Sequence, residues 1–405
     1  MKIPHFSSKT AIAFVALASA VLSACSSGND ITTPDVPQTK ESTLTIDLKP
    51  VETRAAAKDI STDNENTINR VAVGIFDSKG NVKVVKTFEN TDIKNETVSL
   101  TTSAALTTAD HVLVACNAPA TKFTDAIPNE AAFRAKTITI DEALYGAGSH
   151  TTTDAVDITN LPMFGHTEAL TQDANNGTVF NASVDVYHLV SKVTLESFTL
   201  EKVGAMANAS FVPEGIFLAH VPDQLDFQNV TATSSAAAYF TDPALTYSTY
   251  YHGCMTKKPT TDNAAFFGKA YLGMDATTST TDQSKSVDGL VAYTMPNSQT
   301  DDDHATFLVV RGKFYFNSSD KEGTEVWYPL YINYSTGSTA TNVGVAKKVY
   351  PNFNYKMKVT VKGFGETPAY DDNGNPVIKA LVPKTVNVTV SPQAFVDASS
   401  EVTLE

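Results

Sequence analysis

The chain has 405 residues, 42% apolar and 18% charged, with 30 basic against 44 acidic side chains and a formal charge of -14. That length suits about two domains of ordinary size, and the apolar content is too high for general disorder. So acidic a chain does not neutralise a phosphate backbone, which sets nucleic acid aside as a partner; 20 Gly and 18 Pro exclude collagen-like and low-complexity classes.

Residues 1–24 read as a signal peptide. Lys2 and Lys9 precede an apolar run, Ala11 to Leu22, that is too short to span a bilayer, and small residues follow. Leu22-Ser23-Ala24-Cys25 has the form of a bacterial lipobox, in which the Cys25 thiol takes acyl chains such as palmitate and becomes the new N-terminus. An ordinary cleaved signal with a chance cysteine is the plainer alternative. Several acyl chains hold firmly, because each buried methylene adds roughly 0.8 kcal/mol. The next stretch, SSGNDITTPDVPQTK, is polar and reads as a tether.

From there the chain reads as strands, with Thr, Val, Ile, Tyr and Phe alternating and Asn, Asp, Gly and Pro between the runs. Residues 44–48 alternate Leu44, Ile46 and Leu48. Residues 69–76 and 81–88 flank Asp77-Ser78-Lys79-Gly80, a hairpin signal. Residues 111–116 (HVLVAC) form a buried-looking run, and 130–146 leave room for short helical pieces. Residues 178–186 and 190–200 read as two strands. Further runs are 289–294, 305–316, 325–334, 353–362, 384–390 and 401–404, with Pro392 separating the last two. Segment 231–285 is rich in Thr, Ser and Ala and reads as loops with room for short helices. Many short strands with little helix predict an all-β chain of two β-sandwiches. The junction falls near Asp185–His188, where a new set of strands begins.

Chemistry is poorly signalled. There is no GxSxG elbow, no HExxH and no P-loop, so no enzyme is expected. The eight histidines show no ligand spacing, and no metal or other cofactor is expected. Asp301-Asp302-Asp303-His304 could bind a hard cation, although a solvated acidic loop is the plainer reading. Tyr370 to Asn375 partly mimics a calcium loop, but Pro376 stands where glycine is needed and the bidentate Glu is missing; it reads as a turn. Trp327, Tyr328, Tyr331 and Tyr334 could form a sugar platform, but their spacing divides them between two strand faces, and core packing on one face is expected. Cys116 and Cys254 have no CxxC partner and read as buried thiols, with a disulfide between them as the second possibility.

Several segments together resemble the Bacteroidales fimbrillins, the lipoprotein-derived subunits of the type V pilus. They are the lipobox at Cys25, VLVACNAPA at 112–120, LPMFGH at 161–166, HLVSKVTL at 188–195, FLVVRGKFYF at 307–316, YPNFNYKMKVTVKGFGE at 350–366, and VNVTVSPQAFVDASSEVTLE at the end. The resemblance implies two transthyretin-like, Greek-key β-sandwich domains and delivery to the cell outer membrane as a lipoprotein precursor. It further implies proteolytic trimming, then polymerisation by donor-strand exchange into extracellular fimbriae for adhesion. The implied partners are other fimbrial subunits, a maturation protease, the outer membrane through the lipid, and a host or bacterial surface ligand. The implied organisation is a signal peptide at 1–24, a lipidated propeptide at 25–54, an N-terminal sandwich at 55–186 and a C-terminal sandwich at 187–405.

The family's protease cuts after an arginine, and the matching bond here is Arg54-Ala55. The chain has four arginines, and Arg70, Arg134 and Arg311 all lie in or beside compact runs, whereas Arg54 lies where an exposed linker is expected. Without the resemblance Arg54 reads as a solvated linker charge. Cutting there removes a strand carrying Leu44, Ile46 and Leu48. Should those three line a sandwich, their loss leaves an apolar groove beside open strand edges, a template for strand addition. The donor is expected at 384–405, from either the Val386, Val388 and Val390 run or the Val402 and Leu404 run; these strands could instead simply close their own domain. A surface glycan-binding lipoprotein that is never cleaved, or a fimbrial tip adhesin, remains the alternative.

Overall fold

A computed structural model describes residues 41–50, 64–124, 126–144, 156–227, 290–335, 343–369 and 386–394, together with two short strands at 250–251 and 273–274. All of them belong to one compact unit, Lys40–Glu405. The chain is all-β, as expected, with two short α-helices among the described residues.

The first half supplies β1 (Ser42–Pro50), β2 (Arg70–Phe76), β3 (Val82–Glu89), β4 (Thr97–Thr102), β5 (His111–Cys116), β6 (Thr137–Thr139), β7 (Met163–Thr167), β8 (Thr171–Gln172) and β9 (Val179–His188). The helices α1 (Glu130–Arg134) and α2 (Ile140–Leu144) flank β6. One sheet runs in the order β3-β2-β5-β7-β9-β1-β4, with β8 also on β9. Leu44 and Ile46 from β1, Val98 and Leu100 from β4, and Phe180 and Val184 from β9 share one core with Val71, Val73, Val112 and Val114 from β2 and β5. The two ends of the strand order therefore face each other across that core, which makes the sheet a sandwich.

Burial pattern separates the two layers. β2 and β5 are almost continuously apolar because both faces are covered: Val73 and Val114 face the sandwich core, while Ala72, Phe76, Leu113 and Ala115 face a second core under α1 and α2. β1, β4 and β9 alternate buried and exposed, as strands with one wet face do. The β2–β3 hairpin forms as its turn residues predict: Asp77 Oδ1 accepts from the Lys79 and Asn81 amides, and Gly80 takes φ 79°. Asn129 caps α1 by accepting from the Ala132 amide at 2.9 Å. Where β7 crosses β9, a Cβ on Gly165 would lie 2.2 Å from the Asp185 carbonyl oxygen, so only glycine fits.

The second half supplies β10 (Ser191–Leu200), β11 (Ser210–Ala219), β12 (Val221–Pro222), β13 (Gln224–Asp226), β14 (Tyr250–Tyr251), β15 (Gly273–Met274), β16 (Leu290–Thr294), β17 (Phe307–Tyr315), β18 (Thr324–Tyr331), β19 (Phe353–Val361) and β20 (Val386–Ala394). Two four-stranded sheets, β16-β10-β19-β20 and β15-β11-β17-β18, face each other. Val193, Leu195, Met357 and Val359 of the first meet Ile216, Leu218, Leu308 and Val310 of the second.

Three expectations need correction. The run expected at 384–390 extends further: β20 continues through Pro392, opposite Tyr355, to Ala394. Among the described residues β20 is an edge strand, where proline's missing N–H is tolerated. The β18 aromatics are core on both faces: Tyr328 packs between the sheets, while Trp327 and Tyr331 join Phe217, Phe307 and Val309 on the other side. Segment 231–285 is not wholly loop, since β14 and β15 lie within it; the rest of it falls outside the described residues.

Candidate functional site

β1 is the element on which the functional expectation turns. It lies between β9, to which it is parallel, and β4, to which it is antiparallel. Ile46 stands opposite Val98 on one side and Ala182 on the other; Leu44 stands opposite Leu100 and Phe180. Leu44, Ile46 and Leu48 are each fully buried. Burying three such side chains contributes roughly 1.5–3 kcal/mol apiece, on the scale of a whole domain's net stability of about 5–15 kcal/mol. The other face of β1 is wet. Thr45 Oγ1 meets Ser99 Oγ at 3.3 Å, and the Lys49–Asp47 pair, 3.9 Å apart, is exposed.

Arg54 and Ala55 lie outside the described residues, in the 51–63 connection between β1 and Asn64. The chain is firmly held where it resumes. Lys192 Nζ on β10 is 2.9 Å from Glu65 Oε1, both side chains are buried, and the Tyr293 hydroxyl of β16 donates to the same carboxylate oxygen. Burial, with the Glu65 charge beside it, pushes the Tyr293 hydroxyl far above its usual range. His188 Nε2 lies 3.1 Å from Asn66 Oδ1, and burial pushes its pKa down to about 3, aided by the Lys192 charge. Asn117, in the left-handed region at φ 58°, accepts from the Asn69 amide and donates to the Thr67 and Leu161 carbonyls. Glu65 to Asn69 is thus moored to both halves.

The remaining arginines are engaged in folded elements. Arg70 of β2 donates to Glu89, Arg134 of α1 pairs with Glu130, and Arg311 of β17 lies 3.6 Å from Glu325.

At the other terminus, β20 pairs antiparallel with β19 at the edge of its sheet. Val386, Val388 and Val390 stand opposite Val361, Val359 and Met357. Val402, Leu404, Cys25 and Cys254 lie outside the described residues, as does segment 370–375, for which a turn is expected. Cys116 is a free, buried thiol of β5 whose pKa burial raises.

The other candidate sites are tied up in local structure. The Tyr331 hydroxyl donates to Asp302, Lys347 Nζ donates to that hydroxyl at 2.9 Å, and His304 Nδ1 lies 2.6 Å from Asp301. Among the described residues no group of three His, Cys, Asp or Glu could hold a metal ion. Among the described residues the aromatic side chain most open to solvent is Phe316, half exposed and stacked on Phe364. Sequence reasoning passed over β4 and the buried Glu65–Lys192 pair. The first has a weak strand pattern, and the second joins residues 127 positions apart.

Residues 42–210 match the model of the family described as major fimbrial subunit protein (FimA). The match begins at the first residue of β1 and ends at the first of β11. No curated protein matches the chain. Among solved structures, a fimbrilin from Porphyromonas gingivalis W83 superposes with a TM-score of 0.55 at 15% identity, covering 88% of this chain and 98% of its own. A protein from Bacteroides eggerthii classed with cell adhesion proteins gives 0.54 at 18% identity, covering 88% of this chain and 96% of its own. Another so classed, from Parabacteroides distasonis, gives 0.55 at 11% identity, with 89% and 99% covered. Over residues 42–210 this chain is therefore similar to the major fimbrial subunits, and its overall β-sandwich fold is the one seen in the solved P. gingivalis fimbrilin.

Proposed function

We propose that the chain is a structural fimbrial subunit, not an enzyme. It is exported as an outer-membrane lipoprotein acylated at Cys25, cut between Arg54 and Ala55, and polymerised by donor-strand exchange into surface fimbriae that serve adhesion. The observation that carries this reading is the seat of β1. It is a buried inner strand joined to the rest of the domain through a connection that contains Arg54. Losing it would open the ladders on β4 and β9 and vacate the places of Leu44, Ile46 and Leu48, the setting in which an added strand restores both hydrogen bonds and apolar burial. The engagement of Arg70, Arg134 and Arg311 leaves Arg54 as the arginine best suited to a protease.

β20 and the residues after it supply the donor in this reading. Among the described residues β20 is bonded to β19 and no other strand, so there its release breaks a single ladder. The burial of Trp327, Tyr328 and Tyr331 weighs against a glycan platform on β18, and so against the uncleaved glycan-binding alternative. The test compares the intact chain, the chain cut by an arginine-specific protease, and the cut chain lacking residues 384–405, each scored for polymers by electron microscopy. Only the second should polymerise. Equal polymer from the intact chain overturns the cleavage switch, and polymer from the third overturns the donor assignment.

A further inference from the structure

β4 is bonded to its sheet, among the described residues, through β1 and no other strand. Loss of β1 would therefore not leave a groove with two fixed walls. It would leave β9 as a new edge and β4 as a ribbon without a ladder. The registers say where such a ribbon fits. Thr97, Val98, Ser99, Leu100 and Thr101 stand opposite Asp47, Ile46, Thr45, Leu44 and Thr43, which stand opposite Ser183, Ala182, Asn181, Phe180 and Val179. Since β4 is antiparallel to β1 and β1 is parallel to β9, β4 already runs antiparallel to β9. One sideways step of about 4.8 Å, the ordinary strand spacing, places Val98 against Ala182 and Leu100 against Phe180. No side chain changes face: Val98, Leu100, Phe180 and Ala182 stay on the core side, and Ser99, Asn181 and Ser183 stay in water.

The polar attachments of β4 outside the β1 ladder sit at its two ends. Upstream, Asn95 and Glu96 form a tight turn at φ 49° and 59°, closed by two backbone bonds between Lys94 and Thr97. Downstream, Lys83 Nζ of β3 pins the Ala105 carbonyl at 2.8 Å and Asp110 at 2.7 Å. A backbone bond from the Leu48 amide to the Glu96 carbonyl goes with β1. We propose that β4 is a movable wall: once β1 is lost, β4 anneals to β9 in this register and seals the trimmed subunit until a donor strand displaces it. The inference rests on the reading that β1 is removed. It adds that a trimmed subunit is protected from indiscriminate edge pairing, and that a donor must outcompete β4 for β9.

Cysteine pairs test this in the full chain, in a Cys25→Ser, Cys254→Ser background. Ser99→Cys/Asn181→Cys joins exposed positions now separated by β1, beyond the roughly 7 Å Cα limit for a disulfide. Thr97→Cys/Ser183→Cys is a second pair in the same register, and Ser99→Cys/Asp185→Cys is an off-register control. The folded protein is nicked with an arginine-specific protease, and molecules that have lost the β1 fragment are separated by size and mass. Both in-register pairs should go from no cross-link in the intact chain to a majority cross-linked in the fragment-free molecules. A synthetic peptide of residues 42–50 should prevent it. Fragment-free molecules that do not cross-link, or that cross-link equally through the control pair, overturn the movable wall alone. A fragment that never leaves counts against strand loss itself, and with it both readings.

Discussion

Replacing Ile46 with alanine probes the seat of β1 from its middle. Ile46 is fully buried, with Val98 and Ala182 on its flanks and the β2–β5 layer across the core. Truncating a buried Ile costs about 3 kcal/mol, from lost transfer energy and from the cavity left behind. Thr45→Ala, one position away on the wet face, should stay within about 0.5 kcal/mol. Once the connection at Arg54 is nicked, β1 is held by its contacts rather than by the chain. The same 3 kcal/mol then appears as a fragment that leaves roughly 100-fold faster. The assay labels the β1 fragment and follows its loss from the nicked chain by size-exclusion chromatography. Equal rates for Ile46→Ala and Thr45→Ala would refute the argument that burial on this face holds the strand.

Three further outcomes follow from the fold. Lys192→Met leaves Glu65 buried without its ammonium partner and should cost about 3–5 kcal/mol; adding Glu65→Gln should recover part of that loss, and denaturant titration of the two variants measures both. His188 and His220 are held neutral by burial, with pKa values of about 3 and about 4 against the ordinary 6.5. Below pH 6.5 the unfolded chain binds protons that the folded chain refuses, so stability falls as pH drops through that window. From about pH 7 to about pH 5 the loss is about 2 kcal/mol per histidine, and His188→Gln should flatten the measured slope by one such share. Gly165→Ala drives a Cβ into the Asp185 carbonyl and should cost roughly 3 kcal/mol, read as a lowered Tm.

What could be read in the sequence was local. Leu44, Ile46 and Leu48 alternate, and Asp77 to Gly80 carry their own turn chemistry, so β1 and the β2–β3 hairpin follow from short windows. β11 carries Pro213-Glu214-Gly215, residues with the composition of a turn. The strand instead continues through a bulge at that point, under which Gly312 lies so close that a Cβ would sit 2.2 Å from the Val212 carbonyl oxygen. β4 has two core side chains among threonines and serine, too weak a pattern to stand out, and its importance comes from partners far away in sequence. Glu65 is an ordinary acidic residue until the fold brings Lys192 and Tyr293 to it. The β18 aromatics misled because period-two spacing separates faces but does not say that both are covered.

The most direct measurement is the N-terminal residue of subunits sheared from assembled surface fimbriae. The account predicts that the chains begin at Ala55 and lack residues 25–54. Polymerised subunits that still carry β1 behind an acylated Cys25 would contradict it.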